Sequence, residues 1–347
     1  MMKNSKTTIL FLLIFWFLLI CILSMMYPLK ICLIGFILAL CPLTLWVSMS
    51  LKLDPIEKEP TELLLAVFTW GATGAVLLSL WLNVFLGNYF SNIFTTIPKS
   101  FLVGICIAPT IEEISKSLIL FVLFFTLYDE FNGFIDYIIY SVFIGLGFAC
   151  SENIMYYTKI FSDLGFDGLI NMFILRGFGI AYIHSIFSSL VGIHLYVSTK
   201  IKKKLYKVFF IVLGLLTAIS LHSLWNYMAL SNALGFGLIF FIVYVPTIIL
   251  AIIFIIYEIV KIRQFVRKNM TEFSKEHIEY LTSFLKRQKA LWKELFNYGY
   301  NAMWTRKTYH ALVFDLAIAR EKSDPIKDEI EKEMIEMRSL IKGKING

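Results

Sequence analysis

The sequence predicts an all-α, polytopic bundle of about eight membrane-spanning helices over residues 1–260, followed by a small helical cytoplasmic tail over 261–347. Three observations predict it. Apolar residues fill 58% of the 347 positions and charged residues only 16%, for a mean hydropathy of +0.74. Near-continuous apolar runs of about 20 residues, long enough to cross a ~30 Å hydrocarbon core as helix, recur along the first 260 positions. Charge is concentrated beyond Lys261, where 18 Lys/Arg face 12 Asp/Glu. Spanning helices are apolar on all sides, which a water-soluble domain of this length is not.

The expected spans, in order, are Thr8–Met26, Ile31–Ser50, Leu63–Leu86, Phe101–Leu127, Phe134–Tyr157, Asn171–Val197, Val208–Leu230 and Phe236–Ile259. The first follows Lys3 and Lys6 but is too long for a signal-peptide core and lacks a small-residue cleavage site, so it is read as a span. With the N-terminus inside, the inner loops hold Lys3, Lys6, Lys52, Lys58, the Lys200–Lys207 cluster and Lys261–Lys268. The outer loops hold only Lys30, Lys99 and Lys159. That asymmetry predicts both termini cytoplasmic. In the tail, Asp324 with Pro325 reads as a helix start, and Ile326, Ile330, Met334, Met337 and Ile341 recur at helical spacing. Basic loops and a basic tail point to anionic lipid rather than nucleic acid. The five cysteines lie in apolar runs without a C-x-x-C pair, so neither a disulfide framework nor a cysteine metal site is expected.

Charged groups in a spanning helix cost about 2.5–3.5 kcal/mol each on insertion scales, so each needs a reason. Four consecutive spans carry them: Glu112, Glu113 and Lys116 in the fourth, Glu152 beside Asn153 in the fifth, Arg176 and His184 in the sixth, and His222 with Asn226 in the seventh. Glu112/Lys116, Phe148/Glu152 and His222/Asn226 are each four residues apart and share a helix face. Their depths allow Glu112, Glu113, Glu152, His184 and His222 to line one cavity. Two arrangements fit that set. In one, Glu112 helped by Glu113 is the general base on water, His184 shares its proton, and His222 with Asn226 holds the oxyanion. In the other, Glu152, His184 and His222 hold a zinc ion and Glu112 or Glu113 is the base. The chain has no H-E-x-x-H, so the set admits zinc without requiring it. Lys116 and Arg176 read as charge-balancing, and Gly145, Gly147, Gly177, Gly179 and Gly192 as points of close helix packing.

The series Glu112-Glu113-x-x-Lys116, Phe148-x-x-x-Glu152, His184 and His222-x-x-x-Asn226 resembles the motif series of PrsW-type intramembrane proteases, relatives of the prenyl (CAAX) endopeptidases and of abortive-infection-type membrane proteases. The stretches Gly145–Tyr156 and Asp54-x-x-Glu57-x-Glu59-Pro60 strengthen the likeness, which covers about Asp54 to Tyr227. It implies peptide-bond cleavage in or near a bacterial cytoplasmic membrane, and the best-known activity of the group is the first cut of an anti-sigma factor. Two departures from the prenyl endopeptidases are visible: Glu152 stands where they carry histidine, and Lys116 stands in place of an arginine one residue later. Two other classes fit intramembrane acids and histidines, a proton-coupled transporter and a non-catalytic peptide- or lipid-binding membrane protein. Against the transporter stands the lack of a sequence repeat or paired broken helices.

Overall fold

The computed structural model describes residues 2–51, 59–127, 131, 133–180, 182–231, 245–322 and 325–345. Among these the chain is helical, with no strand. It divides into two compact units, Met1–Leu53 with Glu59–Ala251, and Asp54–Lys58 with Ile252–Gly347.

The first unit contains α1 (Met2–Ser24), α2 (Leu29–Ser50) and α3 (Thr61–Ile93, with a π turn at Gly71–Ala75). Next, α4 runs from Lys99–Phe101 through a π turn at Leu102–Ile107 into Ala108–Thr126. Then come α5 (Phe134–Ile174), a π turn at Leu175–Gly179, α6 (Ile183–Thr199) and α7 (Lys204–Leu230). The centre is α5, buried at every position from Phe134 to Ser151. It packs on α2, α3 and α6, and α7 packs on α4 and α6. Asp136 caps its start by accepting from Gly133 N at 2.6 Å. Two glycines let its neighbours approach backbone to backbone. A Cβ at Gly147 would lie 2.1 Å from Phe68 O of α3, and one at Gly145 would lie 2.5 Å from Ser185 N of α6.

Five helical stretches among the described residues are long and apolar enough to cross a membrane: Lys6–Ser24, Leu29–Ser50, Thr61–Ile93, Phe134–Thr199 and Lys204–Leu230. Three of the eight expected spans do not stand separately among these. Phe134–Thr199 contains both the fifth and the sixth expected spans. The fourth is helical but carries Glu112, Glu113 and Lys116. Residues 236–244 of the eighth lie outside the described residues, as do Asp54, Glu57 and Asp324.

Two expectations are corrected. The segment between the fifth and sixth spans is a tight turn rather than a long loop: two helices meet at Gly165, whose φ of 67° suits glycine, and together make up α5. Nor is the sixth span one helix. After the π turn at Leu175–Gly179 the helix breaks around Ile180, and α6 begins afresh at Ile183, which puts His184 in its first turn. The break is held by two side chains of α2: Trp46 Nε1 donates to Gly177 O at 2.8 Å, and Ser50 Oγ lies 2.6 Å from the Tyr182 hydroxyl.

The second unit comprises most of α8 (Val245–Asn269), then α9 (Lys275–Thr282), α10 (Phe284–Tyr298), α11 (Tyr300–Lys322) and α12 (Lys327–Ile345). Its core gathers Val266, Met270, Phe273, Leu281, Val313, Phe314, Leu316 and Met334. The helical stripe Ile330, Met334, Met337 and Ile341 of α12 lies on that core, while Ile326 is exposed. Ser274 and Ser283 cap α9 and α10 by accepting from His277 N and Lys286 N.

Candidate active site

The three π turns bring the polar residues into register. In α4, Pro109 has no N–H to donate, and the Ala108 N–H goes to Val103 O. The Gly104 carbonyl is thereby left without a helical donor, and Asn226 Nδ2 of α7 supplies one at 2.8 Å. Expansion of α4 at this turn precedes the run that carries Glu112, Glu113 and Lys116. The turn at Leu175–Gly179 carries Arg176. The turn at Gly71–Ala75 exposes Ala72 O to Ser151 Oγ of α5 at 2.7 Å, and Ser151 Oγ in turn accepts from Trp16 Nε1 at 3.0 Å.

Behind the site lies a fully buried ion pair. Lys116 Nζ is 2.5 Å from Glu113 Oε1 and 3.3 Å from His184 Nδ1, with the Phe148 ring beneath it at 4.8 Å. Glu113 Oε1 also lies 2.8 Å from His222 Nδ1. These contacts fix both imidazoles. A carboxylate only accepts, so His222 donates through Nδ1 and keeps its lone pair on Nε2. An ammonium only donates, so His184 accepts at Nδ1 and carries its proton on Nε2. That Nε2 is 2.8 Å from Glu152 Oε2, which is also bonded by Arg176 Nη2 at 2.6 Å. Arg176 Nε donates to Asn153 Oδ1 at 2.8 Å and its guanidinium rests on the Tyr156 ring. The two histidine rings meet edge to face at 5.3 Å, and Phe187 stacks on His222 at 4.7 Å.

In front lies a cavity of about 420 Å³ whose wall includes Glu112, Glu152, Arg176, His184, His222 and Asn226. Among the described residues Glu112, His184 and His222 form a group whose ligand atoms lie within 4.8 Å of one another. Glu112 Oε2 is buried with no hydrogen-bond partner and sits 3.8 Å from His222 Nε2. An unpartnered carboxylate oxygen facing an imidazole lone pair is what a borderline-soft divalent cation uses, and two histidines with a carboxylate suit zinc. Glu113 behind His222 completes the carboxylate–histidine support common in such sites.

The geometry revises several residue expectations. Glu113 does not line the cavity; it is buried behind His222. Glu152, expected as the carboxylate ligand, is engaged by Arg176 and His184, and Glu112, expected as the base, stands with the two histidines in the group that could hold a metal. The Asn226 amide nitrogen gives one hydrogen to Gly104 O, so a single amide hydrogen remains at this cavity-lining residue. Lys116 does more than balance charge, because it also sets the His184 tautomer. Tyr156 and Trp225 at the cavity wall were not foreseen, and an aromatic in an aromatic-rich membrane sequence gives no signal of it. His194 stays outside the site, its Nδ1 2.8 Å from Leu190 O of its own helix.

A carboxylate–imidazole cluster facing a cavity inside a bundle of membrane-spanning helices is the centre of a membrane-embedded hydrolase. Residues 59–255, more than half of the chain, match the family described as PrsW family intramembrane metalloprotease. The chain belongs to that family and is an intramembrane protease. No curated protein and no solved structure matches it.

Proposed function

We propose that the chain cleaves peptide bonds of membrane-anchored proteins, an anti-sigma factor being the substrate the family likeness suggests. In this reading Glu112, His184 and His222 hold a zinc ion, His184 through Nε2 once the proton it carries there is released on metal binding, and Glu152 takes the proton of the attacking water. The protein sits in a bacterial cytoplasmic membrane with both termini in the cytoplasm and its basic loops and tail against anionic lipid. The observation that carries the reading is the convergence of Glu112, His184 and His222 on one cavity, with an unpartnered carboxylate oxygen between them.

Zinc held there would polarise the scissile carbonyl and lower the pKa of water. The chain's own residues do the rest. Glu113 orients His222 and Lys116 orients His184, so both rings are fixed before substrate arrives. Arg176 holds Glu152 Oε2 beside His184, placing a second carboxylate at the cavity wall where a water proton can go. Asn226 keeps one amide hydrogen for the carbonyl oxygen of the peptide bond. The bilayer and the bundle exclude bulk water, so these charges act in a low-dielectric interior.

The test is cleavage of a donor–quencher-labelled single-span Leu/Ala peptide with a central Gly–Pro break, in vesicles, before and after chelation. Loss on chelation and recovery with zinc supports the reading. Undiminished cleavage by Glu112→Gln would refute it.

A further inference from the structure

On the other side of Glu112 and Glu152 lies a second cavity of about 300 Å³, walled by Ser79, Leu80 and Asn83 of α3 as well as by those two carboxylates and Lys159. Glu112, Glu152 and Tyr156 line both cavities, so they form the partition between them. Two features of the α3 wall have no structural use. Ser79 is only 3% exposed, yet its Oγ has no hydrogen-bond partner, and neither has Asn83 Oδ1. By contrast, Thr73, Ser117, Ser141 and Thr158 each bond the carbonyl four residues back. The neighbouring face of α3 is lipid-like, with Leu77, Trp81, Val84 and Phe85 exposed. An unpaired hydroxyl and an unpaired amide oxygen beside such a face cost free energy unless something pairs with them.

We propose that this cavity binds an unwound stretch of substrate main chain and feeds it to Glu112 and Glu152. The inference rests on the protease reading and adds to it the surface that holds the peptide. A spanning substrate satisfies its own backbone as helix, and a scissile bond becomes accessible only when that helix opens. Opening strands peptide N–H and C=O groups in an apolar medium, so the enzyme must supply partners for them. Asn83 Oδ1 accepts from a peptide N–H, and Ser79 Oγ donates to a peptide carbonyl or accepts from a second N–H. Four residues along a helix advance about 6 Å. Alternate residues of an extended strand repeat at about 6.6–6.8 Å. Ser79 and Asn83 are therefore spaced to pair with same-side groups two residues apart on an extended segment. Because Glu112 and Glu152 belong to both walls, a peptide lying on α3 ends at the partition, beside the reacting group. Lys159, shortly before the Gly165 break of α5, lines the same cavity and places a cation there for an acidic or interfacial residue flanking the segment.

The test uses the full-length protein in vesicles with the same single-span Leu/Ala peptide, in two arms. In the first, a photo-crosslinking residue is placed at Leu80 on the α3 wall or at Leu230 on the wall of the other cavity, both in a Glu112→Gln background. The peptide should cross-link through position 80, and Asn83→Ala should reduce that yield about fivefold to tenfold, the loss of one hydrogen bond from a buried partner. In the second, Ser79→Ala and Asn83→Ala should each raise KM about fivefold with kcat changed less than twofold, and Asn83→Gln should recover most of the loss. Membrane-extracted yield and helicity check that each variant folds. Cleavage with unaltered KM in the Ser79→Ala, Asn83→Ala double variant overturns the groove and leaves the protease standing. Cross-linking at position 80 without cleavage by the wild type overturns the protease reading and leaves the groove. Absence of cross-linking at position 80 overturns the proposal.

Discussion

Glu113 Oε1 accepts a hydrogen bond from His222 Nδ1 at 2.8 Å, from a position where neither Glu113 nor its partner Lys116 exposes any side-chain surface. A carboxylate in that place cannot touch substrate; what it can do is hold an imidazole in one tautomer. Glu113→Gln should therefore weaken zinc affinity about 10–100-fold while the protein still inserts and folds. Equilibrium zinc titration against a competing chelator measures this. An unchanged affinity would remove Glu113 from the support of the site.

The two cavity carboxylates should separate by readout. Glu112→Gln should lose both zinc and cleavage. Glu152→Gln should keep zinc and lose about 10²–10⁴ in kcat, the usual cost of a general base. Metal content and single-turnover cleavage on the same preparations distinguish them, and equal zinc loss in both variants would return Glu152 to the ligand set.

Much of this was legible in the sequence because the bilayer makes charge expensive: Glu112, Glu113, Lys116, Glu152, Arg176, His184 and His222 stood out against apolar runs. Their division of labour was not legible. Glu112 and Glu113 are adjacent, so helical geometry sends them about 100° apart, and only the position of α7 decides which one meets the cavity. The break before His184 was equally hidden, since Gly177 and Gly179 read as packing glycines within one apolar run. The role of Asn226 follows from the missing N–H of Pro109, which is a local fact, but pairing it with Gly104 O requires knowing that α7 lies against α4.

Asn226→Ala should consequently damage two things at once, the carbonyl of Gly104 and the substrate oxyanion. A fall in kcat of about 10²–10³ is expected from the donor alone. Amide hydrogen exchange over residues 103–108 should also accelerate, and exchange unchanged from wild type would contradict the tie between α7 and the π turn.

In the tail, burial pushes His310 down to about 3, and Arg287, Arg306 and His277 push the same way. Its Nε2 bonds the Tyr280 hydroxyl at 2.7 Å. The folded value lies below the ordinary histidine value near 6.5, so the unfolded chain binds more protons between these limits. The stabilisation is fully present above pH 6.5 and is lost as pH falls toward 3. Hydrogen-exchange protection of residues 309–317, corrected for intrinsic rates, should drop across that window in the full-length protein. The drop should be smaller in His310→Gln; a pH profile identical to wild type would rule out His310 as its source.

The orientation rests on basic residues alone. Reporter fusions at Asn301 and within residues 162–168 should report opposite sides of the membrane, with Asn301 cytoplasmic. Both reporters on one side would overturn it.

Metal content measured beside activity decides whether Glu112, His184 and His222 hold one catalytic zinc ion. Protein purified from membranes without chelator should carry about one zinc per chain, lose it with cleavage on dialysis against chelator, and regain both on zinc addition. His222→Ala should carry less than about a tenth of that zinc, whereas Arg176→Ala, outside the ligand group, should retain it. Metal-free wild-type protein cleaving the single-span peptide at its full rate would contradict the account.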